Sequence, residues 1–404
     1  MFSTEEIPPD QIAGVEPLWA PFQQSFCVTR SINNLDSART CPSLRTVTDA
    51  LVRYIWQQEE LPIIRWMELT SSRIEMVRAG LARHFGCDTD EISIVRNSTE
   101  ALQILLLGIP LDAGDEVLTT TQDYGSMLAA LEYRQRRDSV TVNRIDLPTP
   151  PESMDQIVDL FRQAITPRTR LILVSHMVNL TGQILPVARI CDMARNQGIE
   201  VIVDGAQSFG HLNFKQADLK CDYFGTSLHK YMYAPRGTGM LFIRREKVAA
   251  VPPLMGGAIA GQGIDDIRKF EGVGIQSTAR PLAIGEAVAF QDLVGPERKQ
   301  ARLYYLKQRW MDRFNRIDSM RINTRSEPEM SCGIGNFRIE GVDSGSLRDF
   351  LWDKHRIEVQ NIGQFGSTIR VSANLYTTLS ELDHFCDVIE DVAQKGLPDS
   401  YKKD

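Results

Sequence analysis

The chain has no apolar run long enough to span a bilayer, no CxxC pair, no histidine cluster and no excess of positive charge. Each absence excludes a class of function. Without an 18-residue apolar stretch there is no candidate membrane helix. The net charge of -7 leaves no electrostatic footprint for nucleic acid, and short clusters such as Arg134 to Arg137 read as solvated surface. Seven cysteines (Cys27, Cys41, Cys87, Cys191, Cys221, Cys332 and Cys386) stand singly, at no metal-ligand spacing. They read as reduced thiols, mostly small core residues, and no metal is expected. Neither GxGxxG after an early strand nor GxxxxGK[ST] occurs, so a nucleotide-binding α/β enzyme lacks its usual signature. The first residues, Met1 to Glu6, are acidic where a secretory signal is basic and then apolar. A cytoplasmic enzyme is the expectation.

What is present is an ordinary globular composition, 43% hydrophobic and 24% charged over 404 residues. That length predicts a large domain and a smaller one. The reading is an N-terminal arm over 1–45, a large domain over 46–295 and a small C-terminal domain over 296–404. From about 70 to 245, apolar strand-like runs alternate with amphipathic helical patterns: 92–95, 116–119, 140–142, 171–174, 200–203, 223–225 and 240–243 read as strands. This alternation predicts a mostly parallel sheet covered by helices on both faces, with ligands beyond the carboxyl ends of its strands. A glycine-rich stretch over 256–274 reads as a long surface loop. Beyond it come helices over 281–294 and about 297–315. The C-terminal part then reads as strands over 332–339 and 369–372 with helices over 344–355 and 379–393.

The most informative feature is Asp204-Gly205-Ala206-Gln207, which closes the apolar strand Val201-Ile202-Val203, followed by Ser227-Leu228-His229-Lys230 one short strand later. A lysine amine forms a Schiff base with an aldehyde, and a buried carboxylate keeps a pyridine nitrogen protonated. Together they are the equipment for pyridoxal 5′-phosphate. Alone, Lys230 would be a surface lysine and Asp204 a helix cap. The strand that delivers Asp204 into a crevice calls for a cationic partner there. Gln207 is placed to donate to the cofactor's phenolate oxygen, or is an ordinary polar helix residue. Asn97-Ser98-Thr99-Glu100 opens a helix after a strand, which suits a phosphate and equally a capping box with Ser98 or Thr99 as cap. Ser227 and His229 would complete that pocket. Tyr124, just past a strand end, offers a ring to stack on the pyridine, or is a rim tyrosine. Arg370 is a charge inside an apolar strand, with a fork that matches a substrate carboxylate or a structural salt bridge.

Taken together, these residues resemble the class V aminotransferase family of fold-type I pyridoxal phosphate enzymes, within its isopenicillin N epimerase-like and cysteine desulfurase-like branch. The resemblance runs from about Val77 to Asp383. It is densest at Ser175 to Gly182, Asp204 to Gln207, Ser227 to Lys230 and Pro235 to Gly239. It implies a fold-type I architecture, with a mostly parallel seven-stranded sheet in the large domain and an α+β small domain. Also implied is a homodimer with active sites at the subunit interface. Carried over residue by residue, Lys230 is the Schiff-base lysine and Asp204 the partner of the pyridine nitrogen. Asn179 and Gln207 contact the cofactor; Ser98, Thr99, Ser227 and His229 bind or flank its phosphate; Tyr124 stacks on its ring. Arg370 takes the substrate carboxylate.

Two departures stand out. Gly274-Ile275 replaces a Gly-Thr that reaches the partner subunit's phosphate, leaving Ser277 or Thr278 as substitutes. The stretch Val359 to Ser367 has no cysteine, which counts against sulfur abstraction by the desulfurase route. The expected activity is aminotransferase-type chemistry at Cα of an amino acid, with epimerisation or β-elimination as the alternative. No membrane or nucleic-acid partner is expected.

Overall fold

A computed structural model describes residues 7–255 and 263–402. Thirteen strands occur among these residues: β1 (Asn33–Asn34), β2 (Ile92–Val95), β3 (Glu116–Thr120), β4 (Thr141–Ile145), β5 (Thr169–Ser175), β6 (Glu200–Asp204), β7 (Tyr223–Ser227), β8 (Gly239–Ile243), β9 (Met320–Ile322), β10 (Gly335–Ile339), β11 (Ile357–Glu358), β12 (Gln360–Ile362) and β13 (Thr368–Val371). Seven of them form one sheet in the order β2-β8-β7-β6-β5-β3-β4. All its pairings are parallel except those of β8, which runs antiparallel to both β2 and β7.

The physical reason for the sheet is visible in its strands. Strands buried on both faces are nearly continuously apolar, with alternate side chains going to opposite sides. In β5, Leu171 and Leu173 join one apolar cluster while Ile172 and Val174 join another. The same split divides Ile202 from Val201 and Val203 in β6. Helices Ser98–Gly108 and Gly125–Asp138 contribute Leu102, Leu105 and Leu131 to one of these clusters. Helices Ile63–Phe85 and Val187–Arg195 contribute Leu81, Phe85 and Ile190 to the other.

A second sheet, β12-β13-β10-β9, is antiparallel throughout. It packs with helices Pro296–Phe314, Ser344–His355 and Leu379–Lys395 around Trp310, Phe314, Phe337 and Phe385. Residues 33–36 pair with this part: β1 runs parallel to β11, and Asp36 bridges to Ser372.

Two expected strands shift: that at 140–142 spans Thr141–Ile145 and that at 332–339 spans Gly335–Ile339, while helix 344–355 is found with its expected bounds, Ser344–His355. Of the expected glycine-rich loop, residues 256–262 lie outside the described residues. Its remainder carries a short 3₁₀ turn, Ile267–Phe270. Five of the seven cysteines are buried, Cys27 is exposed and Cys87 is intermediate. Among the described residues, no helix is long and apolar enough to cross a membrane.

Candidate active site

The carboxyl ends of β5, β6 and β7 converge on one place. Ser175 and Asp204 are register partners at the ends of β5 and β6, and Asp204 pairs with Gly225 of β7. Gly205 follows at a point where a Cβ would lie 1.9 Å from the Phe224 ring. Only glycine lets the chain turn there.

Asp204 is 7% exposed. The amide of Ala206 donates to its Oδ1 at 2.8 Å. Burial raises its pKa from the ordinary 3.8 to about 6, against the opposing pull of that amide and of Lys230. A carboxylate so placed favours a cationic partner. Lys230, just beyond β7, is partly covered, and desolvation lowers its pKa from 10.5 to about 8. Asp204 raises it and Arg370 lowers it. The two groups expected to grip one ring therefore lie near enough to feel each other's charge, and Lys230 also feels that of Arg370.

Arg370 enters from β13 and is 4% exposed. Its Nη1 donates to the Asn179 carbonyl at 2.9 Å and its Nη2 to Asp36 Oδ1 at 2.5 Å. Both sequence readings of Arg370 thus have a footing, because a buried ion pair leaves other donors of the fork unused. Asn179 meets Arg370 through its backbone.

On the segment that leads to Lys230, the Ser98 amide donates to Ser227 Oγ, which donates in turn to Ser98 Oγ, both at 2.9 Å. Strand β7 is thereby joined to the first turn of helix Ser98–Gly108. The cap of that helix is Asn97, whose Oδ1 accepts from the Glu100 amide at 2.9 Å. This corrects the expectation of Ser98 or Thr99 as cap and leaves both in the first turn, at the positive end of the helix dipole. Helix and β8 approach so closely that a Cβ on Gly239 would lie 2.6 Å from the Asn97 Cα.

Gln207 donates one amide hydrogen to the Ala38 carbonyl at 2.9 Å. His229 is anchored through its carbonyl, which accepts from the Cys41 amide at 3.2 Å and Thr40 Oγ1 at 3.3 Å. Tyr124 follows β3 with its ring 47% exposed. The expected substitutes Ser277 and Thr278 are engaged within the chain. Ser277 Oγ donates to Gln58 at 2.9 Å, and Thr278 Oγ1 accepts from Trp66 Nε1 at 2.5 Å.

Two acids escaped the sequence reading. Asp123 is 5% exposed and accepts from Thr119 Oγ1, both the amide and Oγ1 of Thr120, and both the amide and Oγ of Ser175. It ties the loop bearing Tyr124 to the strand beside Asp204. Its position at a strand end was the only available signal. Asp36 had none, since its partner lies 334 residues away.

The residues present fit pyridoxal phosphate. Buried polar atoms on three of them, Gln207 Oε1, His229 Nδ1 and Arg370 Nε, have no partner among the described residues, and such atoms are costly unless a ligand meets them. The Asp204 carboxyl is buried, the Lys230 amine has its pKa lowered to about 8, and Ser227 ties the segment that leads to Lys230 to a helix start. Pyridoxal phosphate brings an aldehyde, a basic ring nitrogen and a phosphate.

Comparison with known proteins agrees. The family model for Aminotransferase class-V matches residues 33–385. The isopenicillin N epimerase of Amycolatopsis lactamdurans is 28% identical over 406 residues, covering 94% of this chain and 100% of that one. That of Streptomyces clavuligerus is 31% identical over 351 residues, covering 82% and 85%. Among solved structures, the apo cysteine desulfurase from Thermococcus onnurineus NA1 superposes with a TM-score of 0.83 at 21% identity, over 94% of this chain and 98% of that one. At that identity the likeness establishes the fold. With the family matched across most of its length and the pocket built as described, the chain belongs to the class V aminotransferases and is a pyridoxal phosphate-dependent enzyme of that family.

Proposed function

We propose that the enzyme holds an amino acid by its carboxylate on Arg370 and moves the proton at its Cα with Lys230, in aminotransferase-type chemistry. What supports this reading is that Lys230, with its pKa lowered to about 8, feels the charges of both a buried carboxylate, Asp204, and a buried arginine, Arg370, whose Nε has no partner among the described residues. When bound, pyridoxal phosphate supplies an aldehyde for amines and a ring that withdraws electrons from Cα. Asp204 would favour a protonated ring nitrogen, because a cation beside it offsets the cost of burying its charge. Ser98, Thr99, Ser227 and His229 would hold the phosphate end, and Gln207, Asn179 and Tyr124 the ring. Arg370 fixes the carboxylate and so the direction in which the Cα hydrogen points. Lys230, with its pKa lowered to about 8, has a substantial neutral fraction at mild pH and can accept that hydrogen as a proton.

Epimerisation is the second reading, favoured by the printed names of the two relatives above. The two differ in where a proton is returned, and inversion at Cα requires delivery from the face opposite the group that removed it. Incubation with an amino-acid panel in D₂O separates them. Transamination yields a keto acid, epimerisation yields α-deuterated substrate of both configurations, and β-elimination releases pyruvate or its equivalent. A panel that gives neither keto acid, nor α-deuteration, nor elimination product rejects proton transfer at Cα.

A homodimer is part of the proposal. Ile275 is 93% exposed, and Trp56, Ile64 and Met67 are 66%, 66% and 56% exposed. Large apolar side chains in water support a covering partner.

A further inference from the structure

Asp36 is a carboxylate held between two arginines. Its Oδ1 accepts from Arg370 Nη2 at 2.5 Å and its Oδ2 from Arg39 Nε at 3.1 Å. Its side chain is 4% exposed, while Arg39 is 67% exposed and also reaches Gln360. A carboxylate sitting in the substrate's own seat would face open pocket. This one is packed away.

The backbone around it leaves no room to withdraw. The Leu35 amide donates to Glu358 at 2.9 Å, the Ser372 amide to the Leu35 carbonyl at 2.7 Å and the Ser37 amide to the Ser372 carbonyl at 3.2 Å. These bonds flank Asp36 on both sides and tie it to Glu358 and to Ser372, two residues beyond Arg370.

Donor counting then assigns its work. A guanidinium has five N–H groups. One on Nη1 goes to the Asn179 carbonyl and one on Nη2 to Asp36, while Nε has no partner. Three remain, and a carboxylate needs two that are coplanar. Held on both Nη atoms, the fork cannot rotate, so its remaining donors keep one direction. Asp36 cancels one of the two arginine charges around it, and one positive charge remains.

We propose that Asp36 is the positioning residue for carboxylate recognition: it fixes the plane of Arg370 from behind, so that the unused edge of the guanidinium presents two donors to the substrate. This rests on the reading of Arg370 as the carboxylate arginine. A purely Coulombic view predicts the opposite sign, because removing Asp36 adds positive charge to the pocket and should tighten anion binding.

The test is equilibrium binding of propionate, which has a carboxylate and no amine to react, to purified holoenzyme by calorimetry. Asp36→Ala is expected to weaken propionate roughly tenfold, since the freed fork loses its alignment. Asp36→Asn keeps an acceptor for Nη2 and is expected to stay within about threefold of wild type. Should the alanine variant not fold, Asp36→Ser removes the same reach with a polar side chain. Unchanged or tighter propionate binding in Asp36→Ala or Asp36→Ser overturns the proposal. Arg370→Ala separates the two levels. If it weakens propionate and Asp36→Ala does not, only the positioning role fails. If it leaves propionate binding as in wild type, the carboxylate reading of Arg370 fails and this one with it.

Discussion

Replacing Asp204 with asparagine tests the electrostatics of the pocket from the side of the acid. Burial raises this carboxyl from the ordinary 3.8 to about 6. At about 1.4 kcal/mol per pH unit, that rise disfavours the folded anion by about 3 kcal/mol. The folded chain keeps the proton longer than the unfolded one does. The contribution of Asp204 to stability is therefore complete below about pH 4 and lost as pH rises through about 6. Asparagine cannot ionise, and the pull of Lys230, whose charge favours the anion, is already contained in that raised value. In cofactor-stripped protein, Asp204→Asn should thus be more stable than wild type at pH 8 by about 3 kcal/mol, and equal to it near pH 4. Urea unfolding of both proteins at the two pH values isolates the effect, because all other carboxylates cancel in the difference. With cofactor bound the order should reverse, since a ring cation then meets the carboxylate. A stripped wild type that is the more stable of the two at pH 8 would refute the reasoning.

Lys230→Ala should abolish both the near-visible absorption band of the purified holoenzyme and its collapse on borohydride treatment; a band that survives the substitution places the Schiff base elsewhere. Because the Lys230 amine sits near pKa 8, the rate of cofactor capture by stripped protein should climb as pH passes through that value, and a rate that is flat from pH 6 to 10 contradicts it. Gly239→Ala puts a Cβ 2.6 Å from the Asn97 Cα. Strand β8 or the helix start must then shift, with an expected loss of about 1–3 kcal/mol in denaturant unfolding and weaker phosphate-end binding. Ile275→Asp should shift the sedimentation coefficient toward the monomer, and an unchanged value would remove that side chain from any subunit contact.

Local pattern carried a good deal of this protein. The alternation of apolar runs and amphipathic helices determines a sheet buried on both faces, because only that arrangement hides strands such as Leu171–Val174 and Val201–Val203 completely. Asp204 and Lys230 were legible because each stands at the end of an apolar strand, and strand ends in such a sheet open on the ligand crevice. Tertiary structure decided the rest. Nothing in β8 announces that it inserts antiparallel between β2 and β7, since β2, one of its two partners, lies far away along the chain. Nothing near Asn34-Leu35-Asp36 indicates that this acid meets an arginine 334 residues away, or that Ala38 receives Gln207. Periodicity and spacing report what a segment buries, whereas hydrogen-bond partners across hundreds of residues exist only once the chain has closed on itself.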